Sequence, residues 1–324
     1  MTSPPQYPQD RPIELPPSEQ WPAGVHRLDA KTAVALRTAE ATGRPLLLRG
    51  LPGVGKSMTA RAAAQVAGRP LLCHVINGRT EPSELQYRFD QVRRLADAQV
   101  LARGQKLNDE DQYLHPQALW WAFNWIGASG RAGRNHPHGE PLPKGWDPQS
   151  DRVVLLLDEI DKADPELPNS LLEAFASLAF TVEATGRRIT CPPERRPLII
   201  ITTNEERDLP MAFLRRVLVH ELTLPDAPKA LQAHLAQVAK DHQDYLLAHN
   251  HRRKPCLVVK QAAELVAGQR IAALNTDRYL PGTSELLDLV AALAELYPDS
   301  EAQQRTALTE VADFVLKKSD PLRR

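Results

Sequence analysis

Five short apolar runs, separated by segments of helix length, constrain the fold of this chain more than any other feature. A run that is apolar at every position, such as VVLLL or LIII, is typical of a strand buried on both faces. The segments between the runs have the apolar spacing of helices. This alternation predicts an α/β fold, with a parallel five-stranded sheet between helices. The predicted strands cover residues 46–48, 71–76, 153–157, 198–201 and 217–222.

Both ends of the chain depart from this pattern. The first 22 residues contain seven prolines, which disfavour a helix or a central strand, so we predict a flexible tail over residues 1–23. A proline-rich ligand for another protein module is the alternative. After residue 225 apolar residues recur with helical spacing only, which predicts a separate helical domain over 225–324. The α/β domain then covers 24–224, with an insertion within 77–152.

Composition narrows the class of protein. The 324 residues are 42% hydrophobic, and 40 basic residues balance 40 acidic ones, so no bulk positive charge favours nucleic acid or an anionic membrane. The three cysteines, Cys73, Cys191 and Cys256, are too far apart for a disulfide framework or a zinc site, which indicates a reducing compartment. With neither a signal peptide nor an apolar run of membrane length, we expect a cytoplasmic protein without membrane insertion.

The stretch GLPGVGKS, residues 50–57, lies between an apolar run and an alanine-rich helical pattern. It fits G-x-x-x-x-G-K-[ST] in the strand-to-helix context of a phosphate-binding loop. Lys56 would reach the β and γ phosphates, and the Ser57 hydroxyl would bind Mg²⁺. A glycine-rich turn without a ligand is the alternative. The residues expected to contact ATP here are Gly50, Pro52, Gly53, Val54, Gly55, Lys56, Ser57 and Met58.

An acidic pair, Asp158 and Glu159, ends the third apolar run. Ligands of open α/β sheets bind at the carboxyl ends of the strands. Asp158 is therefore predicted to contact the nucleotide and to bind Mg²⁺ with the loop serine. Glu159 is predicted to activate a water for attack on the γ-phosphate. Asp161 and Asp164, which follow, could cap the next helix instead.

The fourth apolar run ends in Asn204. In a phosphate-loop sheet this strand would neighbour the strand of Asp158. A neutral amide at this position could orient the attacking water without adding charge, whereas a turn-forming role is the alternative. Together these residues predict an ATPase that hydrolyses the β-γ phosphoanhydride bond of ATP with Mg²⁺.

These motifs, followed by a helix that ends in two arginines and by a helical C-terminal domain, resemble AAA+ ATPases. The stretches RTEPSELQYRFDQVRRLADAQ, PQALWWAFN and TTNEERDLPMAFLRRV are similar to the MoxR branch. Over about residues 24–300 the resemblance implies a P-loop NTPase sheet of order 5-1-4-3-2 and a C-terminal helical lid. It also implies a β-hairpin over 180–197, an insert in the second helix, and a homo-oligomeric ring, usually a hexamer, with ATP at each subunit junction.

The resemblance also gives the paired arginines a role. In the family an arginine after the Leu-Pro helix reaches the ATP of the neighbouring subunit, and LPMAFLRRV places Arg216 at that position. Arg215 stands where the usual pattern has an acidic residue, so it is either a second finger or a structural ion-pair partner. Two arginines bound to surface carboxylates are the alternative for the pair.

The predicted lid departs from the family pattern at one position. MoxR-like lids usually carry an arginine that touches the γ-phosphate, and here LPGTSELLD places Glu285 at that point. Arg278 is a candidate replacement.

The resemblance implies chaperone-like remodelling or activation of a partner complex, often with a von Willebrand factor A domain protein as adaptor. Two alternatives remain. One is a nucleic-acid remodeller or loader on the same fold, which the neutral charge makes a weaker expectation. The other is a nucleotide-gated scaffold with little turnover, which Glu285 would suit.

Two weaker patterns lie within the insertion. Trp120, Trp121 and Trp125 wrap more than one face of a predicted helix, so an indole could be exposed for a partner, although core packing is expected for at least one. His136 and His138 lie in a segment rich in Gly and Pro, where a mobile loop is expected rather than a metal site.

Overall fold

The structure is a computed structural model that describes residues 4–100, 107, 109–132, 142–252, 254–274 and 279–316. The strands in these residues are β1 Pro12–Leu15, β2 Gly24–Arg27, β3 Leu46–Arg49, β4 Leu71–Val75, β5 Tyr87–Phe89, β6 Leu114–Pro116, β7 Val154–Asp158, β8 Ala179–Val182, β9 Arg187–Thr190, β10 Leu198–Thr203 and β11 Leu218–Glu221. The helices are α1 Ala30–Thr42, α2 Lys56–Ala67, α3 Pro82–Gln86, α4 Gln91–Val100, α5 Ala118–Phe123, α6 Trp125–Ala132, α7 Glu166–Ser177, α8 Met211–Leu214, α9 Pro228–Ala248, α10 Val259–Ala273, α11 Thr283–Leu296 and α12 Glu301–Leu316.

The chain divides into two compact units. The first contains Ala30–Arg49, Ala63–His220 and the initial residues through Tyr7. The second contains Pro8–Asp29, Gly50–Ala62 and the chain from Glu221 onward. The phosphate-loop segment is therefore grouped with the helical C-terminal part rather than with the strand that precedes it.

The first unit contains the predicted sheet. Its strand order is β11-β3-β10-β7-β4, which is the order 5-1-4-3-2 implied by the resemblance. Strand β10 is parallel to β3 and β7, and β7 is parallel to β4. The predicted α/β fold class is thus confirmed, and β10 brings its carboxyl end between those of β3 and β7.

Strands β7 and β10 are almost completely buried, as their continuous apolar sequences predict. Helices α5 and α7 contribute to the same core, which contains Leu155, Leu171, Ile199 and Phe213. This packing gives the carboxyl ends of the central strands a rigid base, because close-packed side chains leave little room for displacement.

The insertion between β4 and β7 contains α3 to α6 and a two-stranded antiparallel pair, β5 and β6. The three tryptophans singled out from the sequence are buried: Trp120 is 0% exposed, Trp121 1% and Trp125 7%. The expected core packing of at least one indole is therefore confirmed, and the suggestion that an indole is exposed for a partner is wrong. Trp125 packs edge-to-face between Trp121 and Trp146, with ring centroids 4.9 and 4.7 Å away, so the indoles form a cluster inside the core. His136 and His138 lie outside the described residues.

A β-hairpin precedes strand β10 and begins one residue before the range 180–197 that the resemblance implies. Strands β8 and β9 are antiparallel, with Phe180 opposite Ile189. Both of these side chains are buried in the core of the first unit. A short 3₁₀ turn, Pro193–Arg195, then leads toward β10.

The helical part of the second unit is built from α9 to α12. Their apolar stripes meet in one core that includes Leu235, Val266, Leu289 and Leu308. The buried amide of Gln304 accepts a hydrogen bond from the Leu257 N–H at 2.7 Å and so anchors the segment before α10. No helix among the described residues has both the length and the apolar character needed to cross a membrane.

The prediction of a flexible segment over residues 1–23 is wrong for its second half. Strand β1 forms an antiparallel pair with β2, and Ile13 and Leu15 are buried. Proline is tolerated here because β1 belongs to a two-stranded sheet and Pro12 is its first residue. Arg61 of α2 also holds this segment by donating hydrogen bonds to the carbonyl oxygens of Pro16 and Pro22. Sequence proline content alone could not show these contacts.

Candidate functional site: the phosphate loop and the acidic strand ends

The phosphate loop has a backbone that requires its glycines. It begins directly after β3 and ends where α2 starts at Lys56. Gly50, Gly53 and Gly55 have φ values of 139°, 78° and 95°, a region that side chains disfavour. A Cβ atom on Gly50 would lie 2.4 Å from the carbonyl oxygen of Leu222. The loop can therefore keep this shape only with glycine at these positions.

Lys56 folds back over the loop. Its Nζ donates hydrogen bonds to the carbonyl oxygens of Gly50, at 2.5 Å, and Leu51, at 3.0 Å, and the residue is only 7% exposed. Ser57 follows as the second residue of α2, at the helix end whose N–H groups attract anions. A phosphate group bound here would exchange the carbonyl contacts of the lysine for charge-assisted hydrogen bonds.

The other loop residues that were predicted to contact ATP lie in the second unit as well. Val54 packs against the helical core. The Met58 methyl group lies 3.8 Å from the position that a Cβ on Gly24 would occupy. Their roles toward a nucleotide stay predictions.

His26, on strand β2, is a loop neighbour that sequence analysis missed. Its Nε2 lies 3.0 Å from Thr59 Oγ1, and its ring would be 2.8 Å from a Cβ on Gly55. Burial lowers the pKa of His26 to about 4, while the charge of Asp29 opposes the shift and that of His234 adds to it. Burial lowers the pKa of His242, on α9 of the same unit, to about 4 as well. No motif in the sequence connects residue 26 with the loop.

We expect acid to destabilise the second unit through these histidines. A folded-state pKa below the ordinary value of 6.5 means that the folded protein prefers the neutral imidazole. This stabilisation is fully present above pH 6.5 and is lost as the pH falls from 6.5 toward 4. Thermal unfolding between pH 4 and 7.5 should show it, and His26→Gln should flatten the profile. An unchanged profile would contradict a buried neutral His26.

The acidic strand end is ordered by Thr202 of β10. Asp158 is the last residue of β7, and Thr202 Oγ1 donates a hydrogen bond to its Oδ1 at 2.5 Å. The same hydroxyl accepts the N–H of Glu159 at 2.9 Å. Glu159 has a φ of 62°, in the left-handed region that costs free energy for a residue with a side chain. One buried hydroxyl thus fixes both acidic residues.

The carboxylate of Glu159 contacts two polar side chains. Asn204 Nδ2 donates to Oε1 at 3.3 Å, and Lys162 Nζ donates to Oε2 at 2.7 Å. The hydrogen bond to Glu159 raises the pKa of Lys162. The structure therefore brings Asn204 and Glu159 together, as neighbouring strands predict, and it adds Lys162, which sequence analysis missed.

Asp161 does not cap a helix, which is the role that the sequence suggests for it. It is 2% exposed, and its Oδ2 accepts the N–H groups of Asn204, at 3.1 Å, and Glu206, at 2.9 Å. Asp164 does act as a cap, since its Oδ1 accepts the N–H of Glu166 at 3.0 Å, where α7 begins. The two aspartates therefore have different roles, which the sequence alone could not distinguish.

The paired arginines lie on the surface of the first unit after α8. Both side chains, Arg215 and Arg216, are exposed, and among the described residues neither guanidinium forms a hydrogen bond or an ion pair. Their backbone is held by Arg44, which donates to the carbonyl oxygens of Arg215, Arg216 and Val217 at 2.7, 3.3 and 3.0 Å. The described residues therefore show no surface ion pair for either arginine.

Glu285 is part of the helix start rather than a free acidic group. It is 4% exposed, its Oε2 accepts the N–H of Gly282 at 2.8 Å, and its Oε1 accepts the Tyr279 hydroxyl at 2.5 Å. Oε2 lies 3.6 Å from the position of a Cβ on Gly53, so an acidic residue adjoins the phosphate loop. Arg278 lies outside the described residues.

Residues 45–217, more than half of the chain, match the AAA domain of the dynein-related subfamily. The chain belongs to this family of AAA domains. The match covers four of the five strands of the sheet, β3, β4, β7 and β10, together with the phosphate-loop motif, the acidic strand end and the paired arginines. No curated protein matches the chain.

The solved structures to which this chain is similar include a "putative ATPase" from Cytophaga hutchinsonii, 13% identical, with a TM-score of 0.37. The similarity covers 81% of this AAA protein and 57% of that chain. The RuvB Holliday junction branch migration motor of Thermotoga maritima is 15% identical, with a TM-score of 0.43, over 88% of this chain and 67% of RuvB. A proline-to-glycine mutant of that RuvB is also 15% identical, with a TM-score of 0.43, and the similarity covers 87% of this chain and 68% of the mutant chain.

Proposed function

We propose that this AAA protein binds ATP with Mg²⁺ and hydrolyses the β-γ phosphoanhydride bond. The observation that supports this most is the contact of Asn204 Nδ2 with Glu159 Oε1, at 3.3 Å, beside an Asp158 held by Thr202. A neutral amide and a carboxylate that lie in contact with each other are suited to binding the same water molecule. Membership of the AAA family makes ATP-dependent activity the natural setting for these residues.

We assign the following roles to the groups of the protein. The loop N–H groups and Lys56 bind the phosphates, and Glu159 accepts the proton of the attacking water while Asn204 orients that water. The Ser57 hydroxyl and the Asp158 carboxylate are hard oxygen donors, which fit Mg²⁺. Mg²⁺, when bound, would neutralise charge on the phosphate oxygens.

We also propose that the site is completed by a second copy of the chain. The exposed guanidinium groups of Arg215 and Arg216 lack partners among the described residues, as expected for groups that bind an anion on another molecule. A homo-oligomeric ring, for which six copies is the family-based expectation, would let Arg216 reach the γ-phosphate of its neighbour. Whether Arg215 acts as a second finger is tested by its own alanine variant.

The cellular role that we propose is MoxR-like remodelling or activation of a partner protein complex in the cytoplasm. A von Willebrand factor A domain protein is the adaptor that the MoxR resemblance suggests. The balanced charge of the chain supports a protein client over nucleic acid. ATP turnover that is stimulated by DNA, and DNA binding that weakens steeply between about 50 and 200 mM salt, would favour the nucleic-acid alternative.

Lys56→Ala tests nucleotide binding directly. Removing the ammonium group deletes charge-assisted hydrogen bonds to phosphate, so we expect ATP affinity to fall at least about 100-fold, a loss of roughly 3 kcal/mol. Equilibrium binding of a fluorescent ATP analogue measures this. Lys31→Ala, an exposed lysine on α1, is the matched control and should bind like the wild type. Affinity within a few-fold of wild type in Lys56→Ala would contradict the phosphate-loop assignment.

A further inference from the structure

A 3₁₀ turn, Ile160–Lys162, directly follows Glu159. Its middle residue, Asp161, is 2% exposed, which is unusual for an acidic side chain. Burying a carboxylate costs free energy unless hydrogen bonds replace the lost water. The hydrogen-bond partners of this carboxylate therefore indicate what it does.

Both hydrogen bonds come from the loop that follows β10. Asp161 Oδ2 accepts the N–H groups of Asn204 and Glu206, at 3.1 and 2.9 Å. The residue between them, Glu205, has a φ of 62°, so the loop curls around the carboxylate in a conformation that costs free energy by itself. Glu205 also forms an ion pair with Arg49, at the end of β3. Asp161 is thus the buried anchor of this loop.

We infer that Asp161 is a positioning residue that sets the amide of Asn204 against Glu159, an inference that rests on the proposed ATP hydrolysis. Glu159 and Asp161 are two residues apart on one turn, whereas Asn204 lies in the loop that follows the neighbouring strand, β10. The N–H bond of Asn204 to Asp161 therefore fixes the distance between the two candidate catalytic side chains. That distance is already long, 3.3 Å between Nδ2 and Oε1, so a small shift of the loop breaks the contact.

The geometry separates this role from a direct part in proton transfer. The hydrogen bonds of Asp161 run to backbone N–H groups, so a direct role in proton transfer is not needed to explain its burial.

The experiment compares Asp161→Asn with Asp161→Ala. An asparagine keeps an acceptor oxygen for both N–H groups, so we expect kcat within a few-fold of wild type. Alanine removes the acceptor, so kcat should fall about 10- to 100-fold with ATP affinity unchanged, since misplacement by about 1 Å can cost that much. Equal loss in both variants, or a loss in ATP affinity rather than kcat, would overturn the inference.

Two further measurements keep the test decisive. Asp161→Ala combined with Asn204→Ala should be no slower than Asn204→Ala alone, because Asp161 acts through Asn204, whereas additive losses would contradict this. Amide hydrogen exchange over residues 203–207 needs no ATPase activity: it should quicken at least about tenfold in Asp161→Ala and stay close to wild type in Asp161→Asn. Exchange that is unchanged in Asp161→Ala would refute the anchor itself.

The outcomes also separate this inference from the proposed function. A wild-type protein that does not hydrolyse ATP refutes the proposed function, while the exchange measurement still decides whether Asp161 anchors the loop. If Asp161→Ala does not fold, Asp161→Glu replaces it, since glutamate keeps the charge but moves the acceptor by about one carbon–carbon bond. Turnover should then be lower in Asp161→Glu than in Asp161→Asn. The reverse order would mean that charge, not position, is what matters, and would overturn the inference.

Discussion

Arg216→Ala is expected to lower ATP turnover by a factor on the order of 10³ to 10⁵ and to leave ATP binding unchanged. The guanidinium is exposed and lacks a partner among the described residues, so its removal should not weaken the fold. Its backbone stays held by Arg44. Steady-state phosphate release and binding of a fluorescent ATP analogue separate the two effects. Arg37→Ala, an exposed arginine on α1, is the control and should behave like the wild type.

Mixing variants tests whether Arg216 acts on another copy of the chain. Lys56→Ala is expected to bind ATP only weakly but still carries Arg216, while Arg216→Ala is expected to bind ATP but lacks the arginine. A mixture should recover part of the wild-type turnover, because some junctions combine an intact loop with an intact arginine. If the mixture shows only the summed activity of two inactive proteins, the role proposed for Arg216 is wrong. Full turnover in a strictly monomeric protein would contradict that role as well.

The sheet was predictable because burial on both faces leaves a distinctive sequence. Strands β7 and β10 are continuous apolar runs. Short runs such as VVLLL and LIII, followed directly by polar residues, are typical of strands that are buried on both faces. Strand β1 was not predictable, because seven prolines argue against regular structure and its pairing depends on a separate strand, with Pro12 opposite Arg27. The burial of both Trp120 and Trp121 was likewise not predictable, because it depends on tertiary packing, which the spacing of apolar residues in the sequence does not reveal.

Some features of the candidate site could likewise be predicted from the sequence, and others could not. The positive φ values at Gly50, Gly53 and Gly55 could be expected from the sequence, because glycine is the residue that adopts such values readily. The proximity of Asn204 to Glu159 follows from neighbouring strands. The contact of Asp161 with the Asn204 loop joins residues 43 positions apart, and that of Arg44 with the Arg215 carbonyl joins residues 171 apart. Side-chain bonds to distant backbone groups leave no pattern in one sequence.

Glu159→Gln is expected to bind ATP normally and to hydrolyse it about 10² to 10⁴ times more slowly than the wild type. The amide has nearly the shape of the carboxylate and can still accept the hydrogen bond that Asn204 Nδ2 donates to Oε1. It cannot accept a proton from water, so the step that the carboxylate serves is lost while the pocket keeps its form. The ion pair with Lys162 is lost as well, which removes a partly exposed contact of small energetic value.

The identity of the bound nucleotide makes this prediction decisive. After incubation with ATP and Mg²⁺ followed by gel filtration, Glu159→Gln should retain ATP, whereas the wild type should retain ADP. Glu166→Gln, an exposed glutamate in the first turn of α7, is the matched control and should match the wild type. Equal, slow turnover in wild type and Glu159→Gln would instead identify a nucleotide-gated scaffold, consistent with an acidic Glu285 beside the loop. In the proposed ring, an ATP-retaining Glu159→Gln would also keep in place the γ-phosphate that Arg216 is proposed to contact.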